Sequence, residues 1–503
     1  MFEQDIINKF VTNVGESIQL MQPEVALLIT FVLALVFDLI FKKTRSIAGY
    51  VAILGFIVTG FLLCTADSAN AGGFAQMVAI DPFSNFFKLI ILLASLIVVV
   101  MSLFSKELYT ESRTLGEYYS LIAGMTLAMF LLSSSNNLIM MYLSIEMMSL
   151  SSYVLAGYTK EIKRASEASL KYVIYGAISS GIMIYGISLI FGLTGTLNLY
   201  EINSFLANAD INLWALLVPT LMIIAGIGYK ISIVPFHFWT PDVYEGAPVT
   251  ITALLSVASK AAGFAMLIRF IKVGFVDSMF GGDFWAVLHL DWQHIIALLS
   301  VLTMTLGNLV ALWQTNVKRL LAYSSIAHAG YMLMGLTVMN DAGVAAVLIY
   351  FFVYLFMNLG AFFFVLLIAN KTGSEDIEDY QGLGYKAPAI SVCMVIFLVS
   401  LTGLPPTAGF IGKLYIFTAL LQNPDFIWLA VVGVINSVIS LAFYVKVFRN
   451  MYLRKVDEAK ETFKFSIPSI VLMFALAIPT LLFGIYFSPI VNWAEQSVGI
   501  FLR

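Results

Sequence analysis

Runs of some 20 mainly apolar residues recur about fourteen times along the chain, the first centred near Thr30 and the last near Ala475. A run of that length matches the hydrocarbon thickness of a bilayer. In hydrocarbon the backbone must satisfy its own hydrogen bonds, so each run is expected to be a helix. The runs are continuously apolar and do not alternate, which excludes transmembrane strands. Only 11% of the residues are charged, under half of the roughly 25% usual in a soluble domain. The fold expected is therefore an all-α polytopic membrane protein, a single membrane domain over residues 1–503, with the lipid bilayer as its surroundings. A net charge of −3 without a dense basic patch gives no reason to expect nucleic acid.

Lysine and arginine concentrate in alternate loops, including Lys42, Lys43 and Arg45, then Lys160, Lys163 and Arg164, then Lys318 and Arg319. The intervening loops carry acids such as Asp81, Asp291 and Asp341. By the positive-inside rule the basic loops face the cytoplasm and both termini lie on the outer, periplasmic side. Two features depart from the alternation. Arg269 and Lys272 stand at an outer end, and the seventh, inner loop holds only Asp242 and Glu245. The first run is not expected to be a cleaved signal, because no basic segment precedes it and no small-residue cleavage pattern follows.

The chemistry should reside in ionisable residues inside apolar runs, each costing at least about 2.5–3.5 kcal/mol at mid-bilayer. Glu146, Lys171, Lys230, Lys260, His328 and Lys413 are the clearest. Glu146 shares a helix face with Tyr142, Ser149 and Tyr153. Lysines outnumber carboxylates in these runs, so simple pairing does not neutralise them. A buried lysine without a partner loses and regains its proton readily, which suits a proton relay. Structural alternatives weigh against some of them. Lys171, with Glu167 at i−4, reads equally well as a helix-to-helix ion pair, and His328 as a satisfied core histidine. Lys88, near the start of its run, reads as a snorkelling interfacial residue whose loss changes little.

Two runs are punctuated. The seventh reads Gly228-Tyr-Lys230-Ile-Ser-Ile-Val-Pro235-Phe-His237, and the twelfth Gly403-Leu-Pro405-Pro406-Thr-Ala-Gly409-Phe-Ile-Gly412-Lys413. Their prolines free the carbonyls of Ile231, Leu401 and Thr402. Five spans separate them, and an odd offset inverts topology. That fits inverted five-helix repeats, spans 4–8 and 9–13, with helices 7 and 12 broken at the ion path. Residues 20–110 would hold helices 1–3, residues 115–273 the first repeat, residues 293–449 the second and residues 466–490 helix 14. Cys64 and Cys393 lack metal-ligand spacing, and no metal is expected. Thr407 to Lys413 only faintly resembles a phosphate loop, since Thr407 stands where that loop has its first glycine and Leu414 where it has Ser or Thr.

Several stretches together resemble one family. They are Tyr142-Leu-Ser-Ile-Glu146-Met-Met-Ser-Leu-Ser-Ser-Tyr153, Pro235-Phe-His-Phe-Trp-Thr-Pro-Asp242, Lys318-Arg-Leu-Leu-Ala-Tyr-Ser-Ser-Ile-Ala-His328 and Gly403 to Lys413. The chain is similar to the antiporter-like membrane subunits of respiratory complex I, the NADH:quinone oxidoreductase, and to subunit N among them. The resemblance implies a Glu–Lys pair, here Glu146 and Lys230, a connecting Lys260 and a terminal Lys413. It implies proton translocation, driven by quinone reduction in partner subunits, within a bacterial inner membrane. NAD, FMN, iron–sulfur clusters and quinone would belong to those membrane and peripheral partners, with no cofactor in this chain. A subunit of a multisubunit Na⁺/H⁺ antiporter and a non-transporting membrane scaffold are the alternatives.

Overall fold

The computed structural model describes residues 13–41, 45–66, 71–109, 115–208, 212–277, 285–286, 291–454 and 462–499. Lys42 and Lys43 lie outside these. Each apolar run falls on a helix, in chain order α1 (Gln22–Ile40), α2 (Ile47–Thr65), α3 (Pro82–Ser102), α4 (Gly116–Ser134), α5 (Leu138–Ala156) and α6 (Lys163–Thr194). A short α7 (Leu199–Asn208) precedes α8 (Leu213–Ile231), α9 (Trp239–Gly246) and α10 (Val249–Gly274). There follow α11 (Trp292–Ala311), α12 (Val317–Thr337), α13 (Asp341–Thr372), α14 (Pro388–Thr402), α15 (Ala408–Leu421), α16 (Ile427–Tyr452), α17 (Ile467–Ile485) and α18 (Ser488–Ser497). Two small antiparallel hairpins, Ala71–Gly73 with Val78–Ile80 and Val276–Asp277 with Trp285–Ala286, cap helix ends. Among the described residues eleven helices are long and apolar enough to cross a membrane. The other spans are α4, α12 and the pairs α8–α9 and α14–α15, of which α8 alone is counted among the eleven. Helix α12 is buried along nearly its whole length and exchanges apolar side chains for Ser324, Ser325 and His328.

Both punctuated spans are interrupted more widely than a proline kink. Helix α8 stops at Ile231, Ser232 takes a left-handed conformation, and α9 starts at Trp239. Helix α14 stops at Thr402, Gly403 is left-handed at φ +87°, and α15 starts at Ala408. The two interruptions share their hydrogen bonds. Ile233 N–H donates to Gly228 C=O and Phe236 N–H to Ile233 C=O, as Leu404 donates to Val399 and Thr407 to Leu404.

A second motif is also duplicated. Helix α6 ends Thr194-Gly195-Thr196-Leu-Asn198 and α13 ends Thr372-Gly373-Ser374-Glu-Asp376. In each, the threonine hydroxyl caps the helix and accepts from the residue two ahead. Each following strand of chain then pairs with the start of the neighbouring helix, Asn198 with Asn137 and Asp376 with Asn316. These sites sit at opposite ends of α10. Asn136 meets Arg269 in its last two turns, whereas Lys318 donates to the carbonyl of Ala247, just before it. The order of helix lengths recurs too: 19, 19 and 32 residues in α4–α6, then 20, 21 and 32 in α11–α13, each followed by a broken span and one of 26.

The departures from charge alternation have local causes. Arg269 is buried and doubly bonded to Asp81, at 2.9 and 3.0 Å, while Lys272 pairs with Asp341. The acids expected in the seventh loop lie instead on α9, because the break in the span starts a new half-helix at Trp239, and Asp242 meets Lys171 of α6 and Arg319 of α12. The interfacial reading of Lys88 is overturned. It lies inside the bundle, 2.7 Å from Glu24 of α1, because its face of α3 turns inward.

Candidate functional site

Lys230 stands in the last turn of α8, where the helix dipole favours a cation. It is fully buried, and its Nζ donates to Ser149 Oγ and Ser152 Oγ of α5 at 3.2 and 3.4 Å and to Tyr172 Oη of α6 at 3.3 Å. Trp239 stacks on Tyr172 at 4.4 Å and closes the site from the α9 side. Glu146 lies on the same face of α5 as Ser149 but does not reach Lys230. Its carboxylate accepts from Ser180 Oγ, which also lies 3.2 Å from Tyr142 Oη. Glu146 and Lys230 are therefore neighbours and not a contact ion pair.

Lys260, in the middle of α10, is buried and donates to the carbonyl of Ser325 at 2.8 Å. His328, one turn along α12, is held by Tyr350 Oη at 2.7 Å on Nδ1 and by Tyr444 Oη at 3.3 Å on Nε2. Tyr331, on the same side of α12, presents its ring to Lys413 Nζ at 4.4 Å. Lys413 donates to the carbonyl of Thr402 at 2.8 Å and to Ser437 Oγ at 3.1 Å. Thr402 C=O is one of the carbonyls that the prolines release, so the interruption supplies an acceptor where the amine needs one. Gly403 leaves room for that amine: a Cβ there would come 2.7 Å from Lys413 Cδ.

Helix α12 thus gathers Lys260, His328 and Lys413, while α5 and α6 enclose Lys230. Lys171 stands apart. Its side chain is at the rim, 38% exposed, with the amine paired to Glu167 and Asp242. Sequence reasoning missed Tyr172, Tyr350 and Tyr444, whose hydroxyls hold an amine and the imidazole, whereas Tyr331, three residues past His328, is legible in the sequence as a polar neighbour on that face. Tyr172, directly after Lys171, carried a signal in its neighbour. Tyr350 and Tyr444 look like ordinary core aromatics. The hydroxyls of Tyr244 and Tyr354 lie next to Ser325, yet none of the three closes a hydrogen bond of good geometry. Among the described residues no three His, Cys, Asp or Glu side chains cluster as metal ligands.

A bundle of inverted repeats, each broken in one helix beside buried ionisable groups, defines the class of antiporter-like ion-translocating membrane proteins. Residues 135–440 match the family model for NADH:quinone oxidoreductase/Mrp antiporter membrane proteins. The chain is 51% identical over 483 residues to NADH-quinone oxidoreductase subunit N 2 of Chloroherpeton thalassium, covering 95% of this chain and 94% of that one. It is 44% identical over 501 residues to NADH-quinone oxidoreductase subunit N of Chlorobium chlorochromatii, covering 98% and 97%. A chain of respiratory complex I from Thermus thermophilus superposes with a TM-score of 0.76 at 28% identity, over 93% of this chain and 98% of that one. The chain belongs to the NADH-quinone oxidoreductase subunit N family.

Proposed function

We propose that the chain carries protons across the bilayer as a membrane subunit of an NADH:quinone oxidoreductase. Electron transfer takes place in partner subunits, which hold NAD, FMN, iron–sulfur clusters and quinone. The membrane is the bacterial inner membrane, with both termini on its periplasmic side. Residues 115–273 and 293–449 form the two repeats, flanked by residues 20–110 and 466–490.

One observation carries this reading. Lys230, Lys260, His328 and Lys413 are each at most 4% exposed and lie one after another on packed helices from the first interruption to the second. Such groups are costly in a membrane and mark ion paths. Protons enter at Lys230, pass by way of Lys260 and His328, and leave from Lys413. Glu146 acts on the first amine through its charge, because a carboxylate that approaches an amine favours its protonated form. Lys171 tunes this end from the rim. Driving one charge against 100 mV costs about 2.3 kcal/mol, a demand that small movements of a neighbouring charge meet in a medium of low dielectric.

The test is Lys230→Met in the assembled enzyme, with proton pumping followed alongside NADH oxidation. Pumping is expected to collapse and turnover to fall with it. Normal pumping and normal turnover together would overturn the relay. Sodium-dependent transport without NADH would instead identify a Na⁺/H⁺ antiporter.

A further inference from the structure

The shared turns put the two repeats in register, and the register compares their residues one by one. Lys230 stands two residues before the left-handed Ser232, and Leu401 two before the left-handed Gly403. Asp242 stands ten residues past Ser232, as Lys413 stands ten past Gly403. Ser149 and Ser152 follow Asn137 at the distances at which His328 and Tyr331 follow Asn316. Tyr172 precedes Gly195 by the same 23 residues that separate Tyr350 from Gly373. The groups around Lys230, namely Ser149, Ser152 and Tyr172, therefore correspond to His328, Tyr331 and Tyr350. The counterpart of Lys413 is an acid, Asp242.

Asp242 makes contacts that a merely exposed acid does not. One carboxylate oxygen accepts from Lys171 Nζ at 2.7 Å and the other from Arg319 Nη1 at 2.8 Å. Lys171 belongs to the first repeat and Arg319 to the second. Arg319 also donates to Glu245, one turn further along α9, at 2.8 Å. The half-helix α9 is thus held to both repeats at once. It is also the wall of the Lys230 site: Trp239 stacks on Tyr172, donates from Nε1 to the carbonyl of Tyr229 at 2.8 Å, and Thr240 donates to Ser232 Oγ at 2.8 Å. Lys171 and Tyr172 are adjacent on α6, one reaching Asp242 and the other Lys230.

We propose that Asp242 is a positioning residue for proton transfer at Lys230, which latches half-helix α9 between the two repeats and so holds Tyr172 against the amine. The inference rests on the relay proposed above. It adds that the two repeats use equivalent positions on their second half-helices differently, one as a buried amine in the path and the other as an anchor between halves. Exposed ion pairs usually contribute little. Here one carboxylate serves two cations from separate repeats, and the arginine serves two acids.

Three variants in the assembled enzyme test this: Asp242→Asn, Asp242→Glu and Lys230→Met. Proton pumping, followed alongside NADH oxidation, should fall about ten-fold in Asp242→Asn, the scale of one lost hydrogen bond between charged groups. Asp242→Glu should recover most of it, because length matters less than charge for a latch. Normal pumping in Asp242→Asn overturns the inference, and so does equal loss in Asp242→Asn and Asp242→Glu. If Asp242→Asn does not assemble, Asp242→Asn/Arg319→Gln, which also removes the guanidinium that Asp242 shares with Glu245, carries the same two outcomes. Normal pumping in Lys230→Met would sink the relay itself. Collapse there with normal Asp242→Asn sinks only the latch.

Discussion

At the scale of single residues the membrane makes pairing decisive. Lys88 and Glu24 lie 2.7 Å apart with 3% and 5% of their side chains exposed, joining α3 to α1. Removing one member of a buried pair leaves the other charge without a partner, at a cost of about 3–5 kcal/mol, whereas replacing both by apolar groups of like size is often neutral. Lys88→Met should therefore strongly lower thermal stability and the yield of assembled enzyme. Glu24→Met/Lys88→Met should restore much of both. Equal damage in the single and double variants would show that the pair is not what matters. This residue also marks how far the sequence could be read. Position in an apolar run identified Lys88 as a charge near a span end. It did not say which face of α3 turns inward, because every face of such a helix is apolar. Glu146, Lys230, Lys260, His328 and Lys413 were visible for the same reason that Lys88 was misjudged: each is polar in an apolar run, and that signal does not separate a relay from a staple.

At the scale of elements the interruptions were legible and their supports were not. Gly and Pro beside Lys230 and Lys413 announced both breaks, and the structure widens each into a turn with its own hydrogen bonds. The duplicated ends of α6 and α13 escaped notice, since Thr-Gly-Thr-Leu-Asn and Thr-Gly-Ser-Glu-Asp share a hydrogen-bond pattern more than a composition. Nor could the sequence place α17 against the second break. Gly484 of α17 packs there so closely that a Cβ would stand 2.0 Å from the carbonyl oxygen of Pro406. A backbone oxygen does not yield as a side chain does, so Gly484→Ala must displace α17 or the turn that supports Lys413. Gly181→Ala on α6 is the natural comparison, because nothing lies within 4 Å of a Cβ there. Alanine in an open helical position stabilises by about 0.5–1 kcal/mol. Gly181→Ala should thus be neutral or slightly stabilising, while Gly484→Ala should lower both stability and pumping. Equal behaviour of the two would mean that the packing of α17 on the break is not needed.

At the scale of the whole molecule, charges that broke the alternation of loops turned out to be ties between distant parts of the chain. Arg269, near the end of α10, reaches Asp81 ahead of α3, the carbonyl of Ser133 at the end of α4 and Asn136 before α5. One guanidinium thereby joins the N-terminal helices to both ends of the first repeat. Burial alone would raise the pKa of the Asp81 carboxyl, but the charge and hydrogen bonds of Arg269, with those of Ser84, outweigh it and hold the group below its ordinary value. A carboxyl with a depressed folded pKa contributes stability that is present above the ordinary aspartate value of about 3.9. That contribution disappears as the pH falls through the lower folded value. Thermal unfolding of the purified protein should therefore separate wild type widely from Asp81→Asn at pH 7, where the variant leaves Arg269 facing a neutral amide. The separation should close as the pH is lowered below about 4, because protonation gives the wild type a neutral group at the same place. A gap that stays constant from neutral pH into that range would show that the ionised carboxylate does not hold these helices together, and the junction would then rest on the packing of α3 against α10.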